Sequence, residues 1–534
     1  MTLPHDKAMH APRLAGTTQP IVAALALATL SLSALLWSWR AGALLLYGDA
    51  EAHLNIARRV FDSRTPGLRQ VGTVWLPWPH LLMAPFARVD ALWHTGLAGA
   101  IPNGICYVLA GLFLYSAAGR LYGTAGAVVA LAAFALNPNL LYLQSTPMTE
   151  PMFLSAISAL FYFAVRFTAS PSLRWAAASG ASALLASWTR YESWLLLPCV
   201  AWFFFSTGRG VGRRAALVFA LVSGIGPLLW VVHNWWWWND ALAFLHGTYA
   251  TRAGRYPGDG DWLRAAIYYA GAVELCSGWP LALLGLTGLL MAWRRPVGKP
   301  LLLLVPVPLF YVWTIHSSGI RVFVPHLYPY ASYNTRYGIE ALPLLAIATG
   351  AIVPFIPWRR QLPSVALISL FAVSPWLKSR GLECSACWRE ARDTSAARRA
   401  WTHQSAAFLR EHYRAGEGIL MSFGDLCGAL REARIPLRES LTAANGEGWH
   451  AAMSPSGSAR GPLWALTASS DAVARFLDRS GSATGRYQNV HTIRVEGAPT
   501  VQVWRLNQAA VTGQWQSLAA PPQDPHVAQS NRSG

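Results

Sequence analysis

The seven residues Tyr47-Gly48-Asp49-Ala50-Glu51-Ala52-His53 place two carboxylates and an imidazole directly after a long apolar run that ends near Leu46. Ionisable residues recur at the ends of later apolar runs. They are Glu150 in Ser145-Thr-Pro-Met-Thr-Glu150-Pro, then Arg190-Tyr191-Glu192, then Arg321, His326 and Asn334-Thr-Arg336-Tyr337. A charge at the mouth of a membrane-crossing helix is costly to hold unless something uses it. Two uses suit these residue types. A hydroxyl is a poor nucleophile, so a carboxylate within hydrogen-bonding reach must take its proton as it attacks. A departing phosphate accumulates negative charge, which guanidinium groups or a divalent cation held by carboxylates can stabilise.

Asp49, Glu51 and Glu150 form the candidate catalytic set, with Asp49, just clear of the first run, as the base. Arg336, Tyr337, Arg321, His53, His326 and Arg190 form the candidate substrate-binding set, with Arg336 and Arg321 on the phosphate side. The metal candidates are Asp49, Glu51 and Glu150, and His53 is a further residue that could orient an acceptor. Each has a plainer reading. Asp49 and Glu51 can mark where water begins, and Glu150 before Pro151 can favour a helix dipole without further purpose. Arg190 and Glu192 can be a structural ion pair, and Arg336-Tyr337 an interfacial pair. His53 and His326 can be hydrogen-bonded bystanders, and Asp259 and Asp261 turn formers. Against the plainer readings stands the gathering of these residues at one membrane face, where a lipid-borne substrate would present its head group.

The elements that must position them are apolar. Of 534 residues 53% are hydrophobic and only 13% charged, which points to a polytopic membrane protein with an appended soluble part. Candidate spans fall at about 21–46, 95–117, 123–141, 150–168, 174–188, 193–208, 214–235, 278–293, 300–316, 338–357 and 362–377. The first is too long for a cleaved signal peptide and reads as a retained helix. The basic clusters Arg209/Arg213/Arg214, Arg294/Arg295/Lys299 and Arg359/Arg360 mark cytoplasmic loops. Alternation then puts the N-terminal tail (1–20) inside and loops 47–94, 138–149, 189–192, 236–277 and 317–337 outside. The net charge of +18 is spread over short loops, which suits anionic lipid and excludes a nucleic-acid partner.

The expected architecture is an all-α transmembrane bundle of about eleven helices over 21–378, followed by a small external α/β domain over 379–518. Within that domain Gly418–Gly424, Pro462–Ala468, Val490–Val495 and Thr500–Leu506 read as strands, and Asp471 caps a helix over Ala472–Asp478. The Pro-, Gln- and Ser-rich tail 519–534 reads as disordered. Trp75, Trp78 and the prolines of Thr73–His80 suit a segment lying in the interface, as do Trp235–Trp238. Of the six cysteines, Cys384 and Cys387 can be redox-active, zinc-binding or, in an oxidising compartment, a structural disulfide.

Asp49-Ala-Glu51 in the first outer loop, Thr149-Glu150-Pro151 opening the fourth span and Asn334-Thr-Arg336-Tyr337-Gly338 entering a late span together carry a resemblance. The chain resembles the polytopic membrane glycosyltransferases of the C-type fold, in particular the branch of dolichyl-phosphate-mannose protein mannosyltransferases and lipid A aminoarabinose transferases. The resemblance covers about residues 20–378. It implies an inverting sugar transfer from a polyprenyl-phosphate donor to a lipid, glycan or protein hydroxyl, at the outer face of the cell (inner or plasma) membrane. It further implies that Asp49 is the base and that juxtamembrane helices in the first outer loop roof the cavity. The chain departs from the mannosyltransferases in the alanine separating its two acids. It also lacks a match to the carbohydrate-binding inserts of the eukaryotic enzymes. Two other classes stay open: a transporter or flippase for lipid-linked sugars, which requires ionisable residues at helix centres, and a non-catalytic cell-envelope assembly protein, which would tolerate loss of Asp49.

Overall fold

The computed structural model describes residues 18–246, 256–293, 295–377, 381–424, 426–454, 461–469, 471–478 and 487–507. The expected N-terminal tail (save 18–20) and the 519–534 tail lie outside the described residues, as do Arg252 to Arg255. Two compact units emerge. The first comprises the chain to Ala50, Thr73–Phe86 and Thr95–Asp393; the second comprises Glu51–Gly72, Ala87–His94 and the chain from Thr394.

The first unit is helical. Six helices among the described residues are long and apolar enough to cross a membrane, and a seventh candidate is the pair Trp262–Ser277 and Trp279–Trp293, bent by 109°. Shorter apolar helices, Leu173–Ser187, Glu192–Thr207 and Trp358–Val373, occupy further expected spans. Large apolar side chains face outward along these elements, among them Leu25, Trp202, Leu221, Leu290 and Leu362. In water such a surface would drive aggregation; against lipid tails it costs nothing. The runs expected at 95–117 and 123–141 form one helical stretch, Leu97–Ala135, broken at Gly123, whose φ of 76° an L side chain rarely adopts. Residues 262–277, read above as part of an outer loop, are helical instead: Asp261 caps the helix by accepting from the Arg264 amide, 3.0 Å. Its turn chemistry had hidden the 3.6-residue pattern that follows. Gly338 lies so close to the Ala272 carbonyl that an added Cβ would stand 2.1 Å from it, which packs the Thr335–Ala341 turn against this helix.

The two cysteines of the Cys384-Ser-Ala-Cys387 segment are both free thiols. The Cys384 thiol donates to the Gly381 carbonyl, 3.2 Å, whereas Cys387 is fully buried in the helix Ala386–His412.

The second unit contains a five-stranded sheet of β1 (Ile419–Met421), β2 (Ser440–Leu441), β3 (Trp464–Ala468), β4 (Tyr487–Ile493) and β5 (Val501–Leu506), in the order β2-β1-β3-β5-β4. β1 runs parallel to β2 and β3, while β5 is antiparallel to β3 and β4. The two-residue β2 has no sequence signature, so the sheet gains a strand that reading could not supply. Leu420, Ala465, Val473, Leu477 and Leu506 share one apolar core. Asp471 caps the Ala472–Phe476 helix, shorter than expected, by accepting from the Ala474 amide, 2.7 Å.

Glu51 belongs to this second unit. Its carboxylate takes both Nε and Nη2 of Arg431, at 2.6 and 3.0 Å, and Asn55 donates to it at 3.1 Å. Arg431 also donates to the His94 carbonyl, 2.6 Å, so the pair is buried with its polar atoms satisfied. Burial pushes the Glu51 carboxyl up, but the adjoining Arg431 guanidinium outweighs it and holds the group below the ordinary carboxylate value. A depressed folded value means stability that is complete above the unfolded value and lost as the pH falls through the folded one. Removing one partner strands a buried charge, so Arg431→Met should cost about 3–5 kcal/mol, whereas a buried pair replaced whole by apolar groups costs far less. Thermal unfolding of the purified protein should therefore show a large drop for Arg431→Met and a smaller one for Glu51→Leu/Arg431→Met. Equal drops would show that packing, not charge, sets the effect.

Candidate active site

The candidate site of the first unit forms where four elements end. The helix Gly48–Arg59 supplies Asp49 from its first turn, and the helix Glu150–Ala169 supplies Glu150, with Pro151 preset for the first turn. Arg190 and Glu192 flank the start of Glu192–Thr207, and the Thr335–Ala341 turn supplies Arg336, Tyr337 and Glu340. The segment leading into Glu150 is fixed by Asn103, whose amide donates to the carbonyls of Thr146 and Met148, both at 2.6 Å.

Glu150 is the hub. Its Oε1 accepts from Arg336 Nε at 3.2 Å and from Arg190 Nη1 at 3.3 Å, and its side chain is fully buried. Arg336 reaches outward from there: Nη2 bonds Asp49 Oδ2, and Nη1 lies 3.6 Å from Glu390. Arg190 reaches the other way, bonding Glu192 through Nε, Thr149 Oγ1 at 3.0 Å and the Tyr311 hydroxyl at 2.8 Å, with Glu340 at 3.5 Å. Tyr311 in turn donates to Glu192, 2.6 Å. The Tyr337 ring lies between the two cations, each guanidinium carbon 5.0 Å from its centroid, so their charge is spread onto an aromatic face as well as onto acids.

Among the carboxylates gathered here only Asp49 is open: its side chain is 41% exposed, against 5% or less for Glu150, Glu192, Glu340 and Glu390. One Asp49 oxygen is taken by Arg336 and the other makes no hydrogen bond among the described residues. Burial pushes the Glu390 carboxyl up, while Arg336 and the Thr335 amide and hydroxyl pull it back only in part. Glu390 also holds the turn itself, accepting from the Thr335 amide at 2.7 Å and from the Thr335 hydroxyl.

The structure thus brings together Asp49, Glu150, Arg190, Arg336 and Tyr337. It does not bring the other sequence candidates into this cluster. Arg321 is turned onto the Tyr256 ring at 3.9 Å, and its carbonyl accepts from Asn334, 3.0 Å. His326 is exposed in the loop between the helices Pro306–His316 and Thr335–Ala341. Glu51 and His53 belong to the second unit, where Glu51 is committed to Arg431. Among the described residues no group of three or more His, Cys, Asp or Glu side chains is arranged to hold a metal ion. Asp49 and Glu150, two of the metal candidates, instead share the Arg336 guanidinium.

Three participants were missed. Glu340 stands in the same Thr335–Ala341 turn as Arg336, but its partner is Arg190, 3.5 Å away and distant in the chain, so its role was not legible. Tyr311 and Glu390 lie far off in the chain within unremarkable helical patterns, and nothing local marks them.

A family model for dolichyl-phosphate-mannose-protein mannosyltransferases matches residues 82–238. No curated protein matches in sequence. Among solved structures, the chain is similar to ArnT from Cupriavidus metallidurans bound to undecaprenyl phosphate, with a TM-score of 0.57 at 15% identity over 95% of this chain and 100% of that one. The apo state of the same protein gives a TM-score of 0.55 at 15% identity, over 92% of this chain and 100% of that one. Fold and family match therefore point the same way as the sequence motifs: this is a chain with the fold of the C-type membrane glycosyltransferases.

Proposed function

We propose that the protein is an integral membrane glycosyltransferase that moves a sugar from a polyprenyl-phosphate donor to a lipid, glycan or protein hydroxyl at the extracytoplasmic face. It does so with inversion, on a bundle of about eleven spans. The observation that carries this reading is the position of Asp49: it is the one open carboxylate of the cluster, bonded through one oxygen to a buried guanidinium. The likeness to a structure holding undecaprenyl phosphate supports the donor class.

In this reading the acceptor hydroxyl approaches the unbonded oxygen of Asp49. Its oxygen attacks the anomeric carbon from the face opposite the phosphate, the carbon–phosphate-oxygen bond breaks, and the hydroxyl proton passes to Asp49. The polyprenyl phosphate leaves with the bonding pair, and Arg336 is the nearest cation to meet that charge. Arg190 does not face the open side. It holds Glu150, and through Glu150 the angle of Arg336. The charge that a divalent ion would neutralise is met here by guanidinium groups already paired with the candidate ligands. The soluble second unit, in the same reading, selects the acceptor.

Three outcomes test this in proteoliposomes charged with a radiolabelled polyprenyl-phosphate sugar. Asp49→Asn should lower transfer by about 10²–10⁴-fold, the usual worth of a general base, with expression and membrane insertion unchanged; undiminished turnover removes Asp49 from the mechanism. Arg336→Lys keeps the charge but not the fork that reaches three acids, and should cost about 10²–10³-fold in rate; a wild-type rate would mean another cation meets the phosphate. Chelation with EDTA should leave transfer unchanged, and a loss restored by a divalent ion would assign the charge neutralisation to a metal.

A further inference from the structure

Beside the acid–guanidinium cluster, the first unit holds two cysteines that the proposed reaction does not use. Cys276, in the last turn of the helix Trp262–Ser277, and Cys387, in the first turn of the helix Ala386–His412, are both fully buried. A single side chain draws their backbones together. The Asn139 amide donates to the Cys276 carbonyl at 3.0 Å, while its oxygen accepts from the Cys387 amide at 2.9 Å. Asn137 donates to the same Cys276 carbonyl, 2.8 Å, and the Tyr47 hydroxyl donates to the Cys387 carbonyl, 2.9 Å. The Cys276 thiol donates to the Thr335 carbonyl at 3.1 Å, and the Cys387 side chain lies within interaction range of the Cys276 side chain. Four hydrogen bonds to the two cysteine backbones hold these helix ends side by side, so little backbone freedom is left to lose on bonding.

We propose that Cys276 and Cys387 close as a disulfide that ties the helix carrying Glu390 to the helix on which the Arg336 turn packs. The location of the oxidant rests on the extracytoplasmic reading given above. The step is thiol–disulfide exchange with a dithiol-oxidising protein or a small disulfide. One cysteine thiolate attacks a sulfur of that disulfide, its S–S bond breaks, and a mixed disulfide forms. The second cysteine displaces the partner's sulfur, so the pair gives up two protons and two electrons and the partner leaves as two thiols. Because both sulfurs are sealed from water in the folded unit, exchange takes place before the helix Ala386–His412 seats. The closed bond is thereafter shielded from reductants. Cys384 is not the partner of Cys387: its thiol points to the Gly381 carbonyl.

The bond would lie one helical turn from Glu390, which grips the Thr335 amide and hydroxyl and faces Arg336. It would therefore fix the turn that presents Arg336 without touching substrate.

The test is peptide mapping of the full-length protein, purified without reductant, denatured, alkylated with N-ethylmaleimide and digested. The expected result is one cross-linked peptide pair joining Cys276 and Cys387, lighter by two hydrogens than the separate peptides, with the remaining four of the six cysteines alkylated. Cys276→Ser and Cys387→Ser should each abolish that pair and leave the lone partner alkylated. A pair that is reduced in the isolated protein but joins Cys276 to Cys387 when diamide is added in mild denaturant, enough to open both thiols to N-ethylmaleimide, would uphold the pairing and overturn the extracytoplasmic placement. Alkylation of both residues before and after that treatment, or a link from Cys387 to Cys384, would overturn the proposal.

Discussion

One carboxylate oxygen between two guanidinium groups organises the first unit. Glu150 Oε1 takes Arg336 at 3.2 Å and Arg190 at 3.3 Å, with all three side chains buried or nearly so. An ion bridge of this kind is seldom a source of stability, since desolvation consumes most of the attraction. What it does supply is geometry. Two cations that would repel each other are held on either side of one acid and one tyrosine ring, and each is left with a further arm to extend. Arg190 spends its arms inward on Glu192, Glu340 and Tyr311, while Arg336 extends one to Asp49 at the open edge.

The cluster is acid-rich: five carboxylates (Asp49, Glu150, Glu192, Glu340 and Glu390) face two arginines. Like charges at such separations repel strongly in a buried setting unless each finds a cation or a hydrogen-bond donor. Among the described residues Glu340, with neither oxygen hydrogen-bonded, and Glu150, with a bare Oε2, are where the shortage of partners is greatest. Backbone rigidity comes from small residues and side-chain anchors: Gly338 against Ala272, Asn103 on the loop before Glu150, and Glu390 on Thr335.

The second unit handles buried charge differently. Glu51 meets Arg431 in a matched pair, with Asn55 donating to the carboxylate and the His94 carbonyl accepting from the guanidinium. Asp49 and Glu51 stand two positions apart in one helix, and at 100° per residue their side chains leave it in nearly opposite directions. That spacing is why two acids that look alike in the chain have unrelated partners.

What the chain determined by itself was what depends on neighbours in sequence. Apolar runs long enough to span a bilayer, the break near Gly123, the Asp471 cap and strands β1, β3, β4 and β5 all follow from local composition and period, and all are found close to where they were expected. The polar residues at run ends were legible too, because a charge beside an apolar run stands out whatever the fold. The choice among them belonged to tertiary structure. Asp49, Glu150, Arg190 and Arg336 come from four parts of the chain, and only helix packing decides that they meet while Arg321 and His326 do not. Glu390 and Tyr311 were invisible for the same reason: a side chain's role in a buried ion network is fixed by distances of about 3 Å across the bundle, and those distances leave no trace in the order of residues along it.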